Sequence, residues 1–208
     1  MKKALEAYWG DKISAEELLK VAKEQRLNTY ATIKEQGVDF VPTGTFSLYD
    51  HVLDMSNTLG IIPEAYATSG LSQLDTYFAM ARGHQKGGVD LPATEMKKWF
   101  DSNYHYLVPE FSEKSEFKLN DNKPVDDFIE AKEAGYNARP VILGPLTLLW
   151  LGKTSKDAQD PNFNRYSLLP KLAQTYVQLF EKLAAAGAPW VQLDEPILVV
   201  DTAKPVSY

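Results

Sequence analysis

The chain has 208 residues, 44% of them hydrophobic and 24% charged, an ordinary balance for a globular domain long enough to bury its own core. Without a single cysteine it excludes disulfides, thiolate metal sites and a cysteine nucleophile of its own, and it is compatible with a cytoplasmic location. A net charge of −6, with 28 acidic against 22 basic residues and no Lys/Arg block, argues against non-specific nucleic-acid binding, and no apolar stretch is long enough to span a membrane.

The opening MKKALEAYWGDK has the charge of a secretory leader's first region but lacks the apolar run that should follow, and it reads as a short helix. Ser14 and Glu17 form an S-x-x-E capping box for a longer helix. Leu18, Leu19 and Ala22 recur there at helical spacing, and Gly37 is placed to close it in the left-handed conformation. A short apolar strand, VDFVP, follows. In GTFSLYDHVLD, Gly44 permits a tight turn and Ser47 is expected to cap a helix carrying Asp50, His51 and Asp54. Those three share a helical face, but a metal site needs three or four converging ligands, so they read as a surface ion-pair patch. The glycines of ARGHQKGG match neither a P-loop nor a dinucleotide fingerprint, and His84 reads as a solvated loop residue. EMKKWF reads as helical and NYHYLV as a strand, while 112–123 and 153–165 are polar loops. FIEAKEAG ends at Gly135 and leads into RPVILG; LAQTYVQLFEKLAAAG ends at Gly187 and leads into WVQL.

Helix, glycine, short apolar strand and helix again is the grammar of an α/β protein with a parallel sheet. About four parallel strands with helices outside make a partial (βα)8 TIM-type barrel within one domain, residues 1–208. Eight strands close such a barrel. Half of one leaves open edges and an uncovered apolar face, so a fragment of a longer protein, or a domain that needs a partner, is expected.

WVQLDEP carries the sharpest candidate chemistry. Alternation places Val191 and Leu193 on a face toward helices, and Gln192 and Asp194 on a polar face toward the barrel interior. Asp194 and Glu195 then stand at the strand's C-terminal end, where barrel enzymes gather functional groups. The plainer alternative is that Asp194 caps a turn and Glu195 is solvated. Asn103 and His105 alternate in the same way, and His105 is either a site residue or a hydrogen-bonded core histidine. The rings of KKWFDSNYHY either line a pocket for a flat, polar ligand or pack in the core. Asp194 with Glu195 or Glu110 would serve an independent barrel hydrolase, provided two carboxylates lay about 5–9 Å apart across one pocket.

Taken together, KKALEAYWGDKISAEELL, VPTGTFSLYDHVLD, YFAMARG, EMKKWFDSNYHYLVPEF, EAKEAGYNARPVILGPLTLLWLGK and GAPWVQLDEPILVVD resemble, in order, the N-terminal half of the cobalamin-independent methionine synthase family. The resemblance implies two face-to-face barrels and methyl transfer from 5-methyltetrahydropteroyltriglutamate to homocysteine. It implies a catalytic zinc held by Cys, His and Glu in a C-terminal barrel that this chain lacks, and no metal or catalytic residue here. By motif position, Lys2 is similar to a lysine that meets the folate's glutamate tail, and Asn103 to another folate-binding residue. Both are chemically apt, as a point charge for carboxylates and an amide that donates and accepts. His105, Asp194 and Glu195 are possible supports of the site. Three departures stand out: the segment that normally precedes Lys2 is missing, Thr45 replaces an acid, and everything beyond the VQLDEP strand is absent. A non-catalytic paralogue that binds folate or another chain is the alternative the resemblance leaves open.

Overall fold

The computed structural model describes residues 1–201. In chain order the elements are α1 (Lys2–Trp9), α2 (Ala15–Glu35), β1 (Val41–Thr43), α3 (His51–Thr58), α4 (Glu64–Ala67), α5 (Gln73–Arg82), β2 (His84–Lys86) and β3 (Val89–Leu91). There follow β4 (Met96–Lys98), β5 (His105–Leu107), β6 (Glu110–Phe111), α6 (Lys123–Glu133), β7 (Ala138–Leu143), α7 (Pro145–Leu151), β8 (Lys153–Thr154), α8 (Leu169–Ala185) and β9 (Gln192–Asp194).

Local chemistry explains the helices. Ser14 accepts from the Glu17 N–H while Glu17 reaches back to the Ser14 N–H, the reciprocal cap expected for α2. Of its apolar residues Leu18 and Ala22 are fully buried, whereas Leu19 is 48% exposed. In α8, Leu172, Thr175, Tyr176, Leu179 and Leu183 are buried at three- and four-residue steps. That single stripe is what docks the helix, at about 1.5–3 kcal/mol for each large apolar side chain buried. Gly37, Gly135 and Gly187 follow their helices with φ of +81°, +86° and +90°, as the sequence suggests.

β1, β7 and β9 form a parallel sheet with β7 in the middle. Val41 pairs with Ala138 and Ile142 with Leu193, so the three strands end on one side. The fourth strand candidate does not join them. β5 instead pairs antiparallel with β4, which occupies the segment EMKKWF where a helix is expected. Glu, Met and Lys favour helices, but this stretch has no helical apolar stripe, and the Trp99 N–H closes a hairpin onto the Tyr104 carbonyl at 2.7 Å. A second correction concerns His84, which lies in strand β2 rather than in a loop; Gly87 and Gly88, both at positive φ, form the two-residue turn into β3. β6 and β8 make a separate short parallel pair.

The apolar interior has two parts. One surrounds the central sheet, with Val41, Ile142, Leu148, Phe128 and Leu179. The other joins α2 to α5 and β3 through Leu18, Phe78, Met80 and Leu91. The described chain is thus mixed α/β, built on three parallel strands.

Candidate functional site

A cleft of about 860 Å³ opens where β1, β7 and β9 end. That is where parallel α/β sheets present their ligand-binding groups, because the loops after successive strands converge there. Gly44 and Thr45 follow β1, Leu143 closes β7, and Leu193, Asp194 and Glu195 supply the third side. Gly44 cannot be replaced cheaply: its φ is +82°, and a Cβ would stand 2.7 Å from the Val141 carbonyl oxygen.

The floor is built by α3, and its cap differs from expectation. Asp50, not Ser47, is the N-cap; its Oδ2 accepts from the Leu53 N–H at 2.9 Å and from the Leu107 N–H of β5 at 3.0 Å. Its Oδ1 accepts from the Tyr104 hydroxyl at 2.6 Å. The expected surface patch is therefore an interior network, with Asp50 only 1% exposed. His51 Nδ1 lies 3.2 Å from the Tyr104 oxygen. Since that hydroxyl's one proton goes to Asp50, Nδ1–H must donate to it, leaving Nε2 as the acceptor of the neutral ring. Burial lowers the His51 pKa, against the pull of Asp50 and Asp194, so the neutral form is favoured. Trp99 packs on the ring at 4.6 Å between centroids.

Asp54, one turn further along α3, accepts from Tyr77 at 2.7 Å and lies 3.6 Å from the Lys123 ammonium. Burial raises its pKa, with Lys123 and the nearby Ser47 hydroxyl opposing. Ser47 is close enough to stabilise the charge but not aligned for a hydrogen bond; its Oγ and Asp54 Oδ2 are both buried without a well-formed one. Lys123 donates to Asp127 at 2.6 Å and to the Phe46 carbonyl at 2.8 Å. Asp127 lies 3.6 Å from Arg26, which grips Glu130 through two bonds of 2.8 Å. A chain of charges thus runs from the cleft floor through α6 to α2.

The two acids of WVQLDEP divide. Glu195 accepts from the Leu146 N–H at 2.9 Å and the Thr147 N–H at 2.7 Å, and also from the Thr147 hydroxyl, so it caps α7. Asp194 is exposed at the rim, with the Gln192 amide at 2.8 Å as its donor among the described residues. Leu193, expected to face helices, is 42% exposed and lines the cleft. Glu110 pairs with Lys153 at 3.0 Å and is not among the cleft's lining residues. Neither Glu195 nor Glu110 therefore joins Asp194 in the acid–base pair that the hydrolase reading needs, because Glu195 is occupied by α7 and Glu110 lies elsewhere.

Nearly the whole chain aligns with known proteins. A family model described as "Cobalamin-independent synthase, N-terminal domain" matches residues 1–207. The chain belongs to the cobalamin-independent synthase family, as its N-terminal domain. A Schizosaccharomyces pombe protein named "Probable 5-methyltetrahydropteroyltriglutamate--homocysteine methyltransferase" is 53% identical over 207 residues, covering 97% of this chain and 27% of that protein. The Saccharomyces cerevisiae methyltransferase of the same name, without "probable", is 50% identical over 207 residues, with the same coverage. Its Candida albicans counterpart is 49% identical over 215 residues, covering 99% of this chain and 28% of the relative. The chain therefore spans about a quarter of the length of these relatives.

In this synthase domain the residues singled out by motif lie outside the cleft lining. Lys2 starts α1 with its side chain 89% exposed, 3.9 Å from Glu6. Asn103 is exposed between β4 and β5, and its carbonyl oxygen is 3.1 Å from His105 Nδ1. His105 is exposed and pairs across the hairpin with Lys98. What sequence reasoning missed is His51 with Asp50 and Tyr104. Their contacts join positions more than 50 apart in the chain, which no local pattern encodes.

Proposed function

We propose that this chain contributes to binding 5-methyltetrahydropteroyltriglutamate for methyl transfer to homocysteine, in the cytoplasm, as part of a cobalamin-independent methionine synthase. The match over residues 1–207 to that family's N-terminal domain carries the reading. The three parallel strands with helices packed on them suit a portion of a (βα)8 barrel, and the cleft at their C-terminal ends suits its working face. Lys2, for the glutamate tail, and Asn103 are our folate contacts, and both are exposed to a ligand. His105, Asp194 and Glu195 are supports, Glu195 through the end of α7.

Zinc in the family would act as a Lewis acid on the homocysteine thiol. The residues of this chain do not fit it: the sequence has no cysteine, and among the described residues no group of three or more His, Asp or Glu is placed to hold a metal ion. We assign the metal to another part of the family's protein.

Calorimetric titration with 5-methyltetrahydropteroyltriglutamate and with its monoglutamate tests the reading. Lys2→Ala should weaken the triglutamate a few-fold, less at high salt, and leave the monoglutamate almost unchanged. Equal losses for both, or none, would remove Lys2 from the site. Mixing the chain with a separately supplied zinc-bearing half should restore methyl transfer; folate binding without transfer would favour the non-catalytic paralogue.

A further inference from the structure

A second cavity, of about 570 Å³, lies between α1, α5 and the β2–β3 hairpin and shares no lining residue with the cleft. It contains Trp9 of KKALEAYWGDK together with Arg82 and His84 of ARGHQKGG. We propose that this cavity binds a small organic carboxylate.

The two carboxylates on the lining are already engaged. Asp75 accepts from the Tyr8 hydroxyl at 2.7 Å and the Ser72 hydroxyl at 2.6 Å, and Asp11 is held by Lys86 at 2.7 Å. The Gln85 amide is spent on the Leu91 carbonyl at 2.5 Å. The donors left over are different in kind. The Trp9 indole N–H is buried with no acceptor, a deficit that costs about 1–3 kcal/mol if left unmet. Arg82 forms no ion pair or hydrogen bond among the described residues; its guanidinium carbon sits 3.7 Å above the Trp9 ring. Stacking on a ring face uses the flat side of a guanidinium and leaves its in-plane N–H groups for a planar acceptor. The indole is itself fixed, since Phe78 meets it edge-on at 5.5 Å. Formal charges on the lining cancel, Arg82 and Lys86 against Asp11 and Asp75, so recognition depends on local donors rather than on net charge. What distinguishes the cavity is two neighbouring donors, the indole N–H and the stacked guanidinium, without acceptors of their own among the described residues, and a carboxylate answers them with two oxygens in one plane.

The test uses the full chain labelled with 15N, in which the four tryptophans give four indole N–H signals and Trp9→Phe identifies one by its loss. Titrating glutarate should move the Trp9 signal saturably and leave the other three nearly still. Glutaramide, of the same shape but uncharged, should not move it, and Arg82→Gln should weaken the glutarate response at least tenfold. The proposal is overturned if the Trp9 signal moves no more than the others, if glutaramide matches glutarate, or if folded Arg82→Gln responds as the parent does. Should Arg82→Gln fail to fold, the glutarate and glutaramide comparison on the parent chain decides alone.

Discussion

At the end of β9, Glu195 accepts two backbone N–H groups and a hydroxyl from the first turn of α7, while the exposed Asp194 accepts from the Gln192 amide. The alternation of WVQLDEP foretold a polar strand end but assigned the buried role to the wrong acid. Its donors lie 48 and 49 residues earlier, and a strand end that turns at Pro196 no longer obeys strict alternation. Glu195→Ala should therefore cost about 1–2 kcal/mol in urea unfolding, and Asp194→Asn less than about 0.5. Gly144 is part of the same contact, since a Cβ there would fall 2.1 Å from Glu195 Cδ. Gly144→Ala should destabilise by about 1–3 kcal/mol in the parent and distinctly less in Glu195→Ala. Additive losses in that double-mutant cycle would refute the coupling.

Among elements, α3 and the β4–β5 hairpin show what local patterns can and cannot give. The start of α3 near Asp50 was legible from GTFSLYDHVLD, but its cap was not: Asp50 and Ser47 are both good capping residues, and what selects Asp50 is the Leu107 N–H and the Tyr104 hydroxyl brought by the hairpin. The hairpin in turn was unreadable because β4 is made of helix-favouring residues. One carboxylate thus fixes helix to ribbon. Asp50→Ala should lower stability by about 3 kcal/mol, since it strands two buried N–H groups, and Ser47→Ala should cost less than about 1. Thermal unfolding of the two variants compares them directly; similar losses would mean that the cap is not the joint.

Over the whole molecule, the helix–glycine–strand rhythm carried the α/β class and three of the four expected parallel strands, while NYHYLV went to the hairpin. The polar groups buried between elements instead set its response to pH. Burial, with Asp54 beside it, raises the Tyr77 pKa well above its ordinary 10.0, and burial raises that of Tyr176. Burial pulls Lys123 down, but Asp54 and Asp127 more than offset it, raising it above 10.5. Groups with folded pKa values above their unfolded ones bind protons more tightly when folded. Their stabilisation is complete below the unfolded values and is lost as pH rises through the folded ones. Urea midpoints should hold steady to about pH 9 and fall above pH 10, with a shallower fall in Tyr77→Phe even though that variant starts less stable. An unchanged slope in Tyr77→Phe would remove this phenol from the transition.

The joint between Glu195 and α7 also has a consequence in time. A ribosome makes α7 with its first-turn N–H groups facing water, and the carboxylate that will receive them is translated 48 residues later, about 2–10 s at ordinary elongation rates. During that interval the helix has neither its terminal acceptor nor the neighbouring strand β9, which pairs with β7 directly before it. Helix α7 is therefore completed from behind, by the last strand of the sheet rather than by its own sequence.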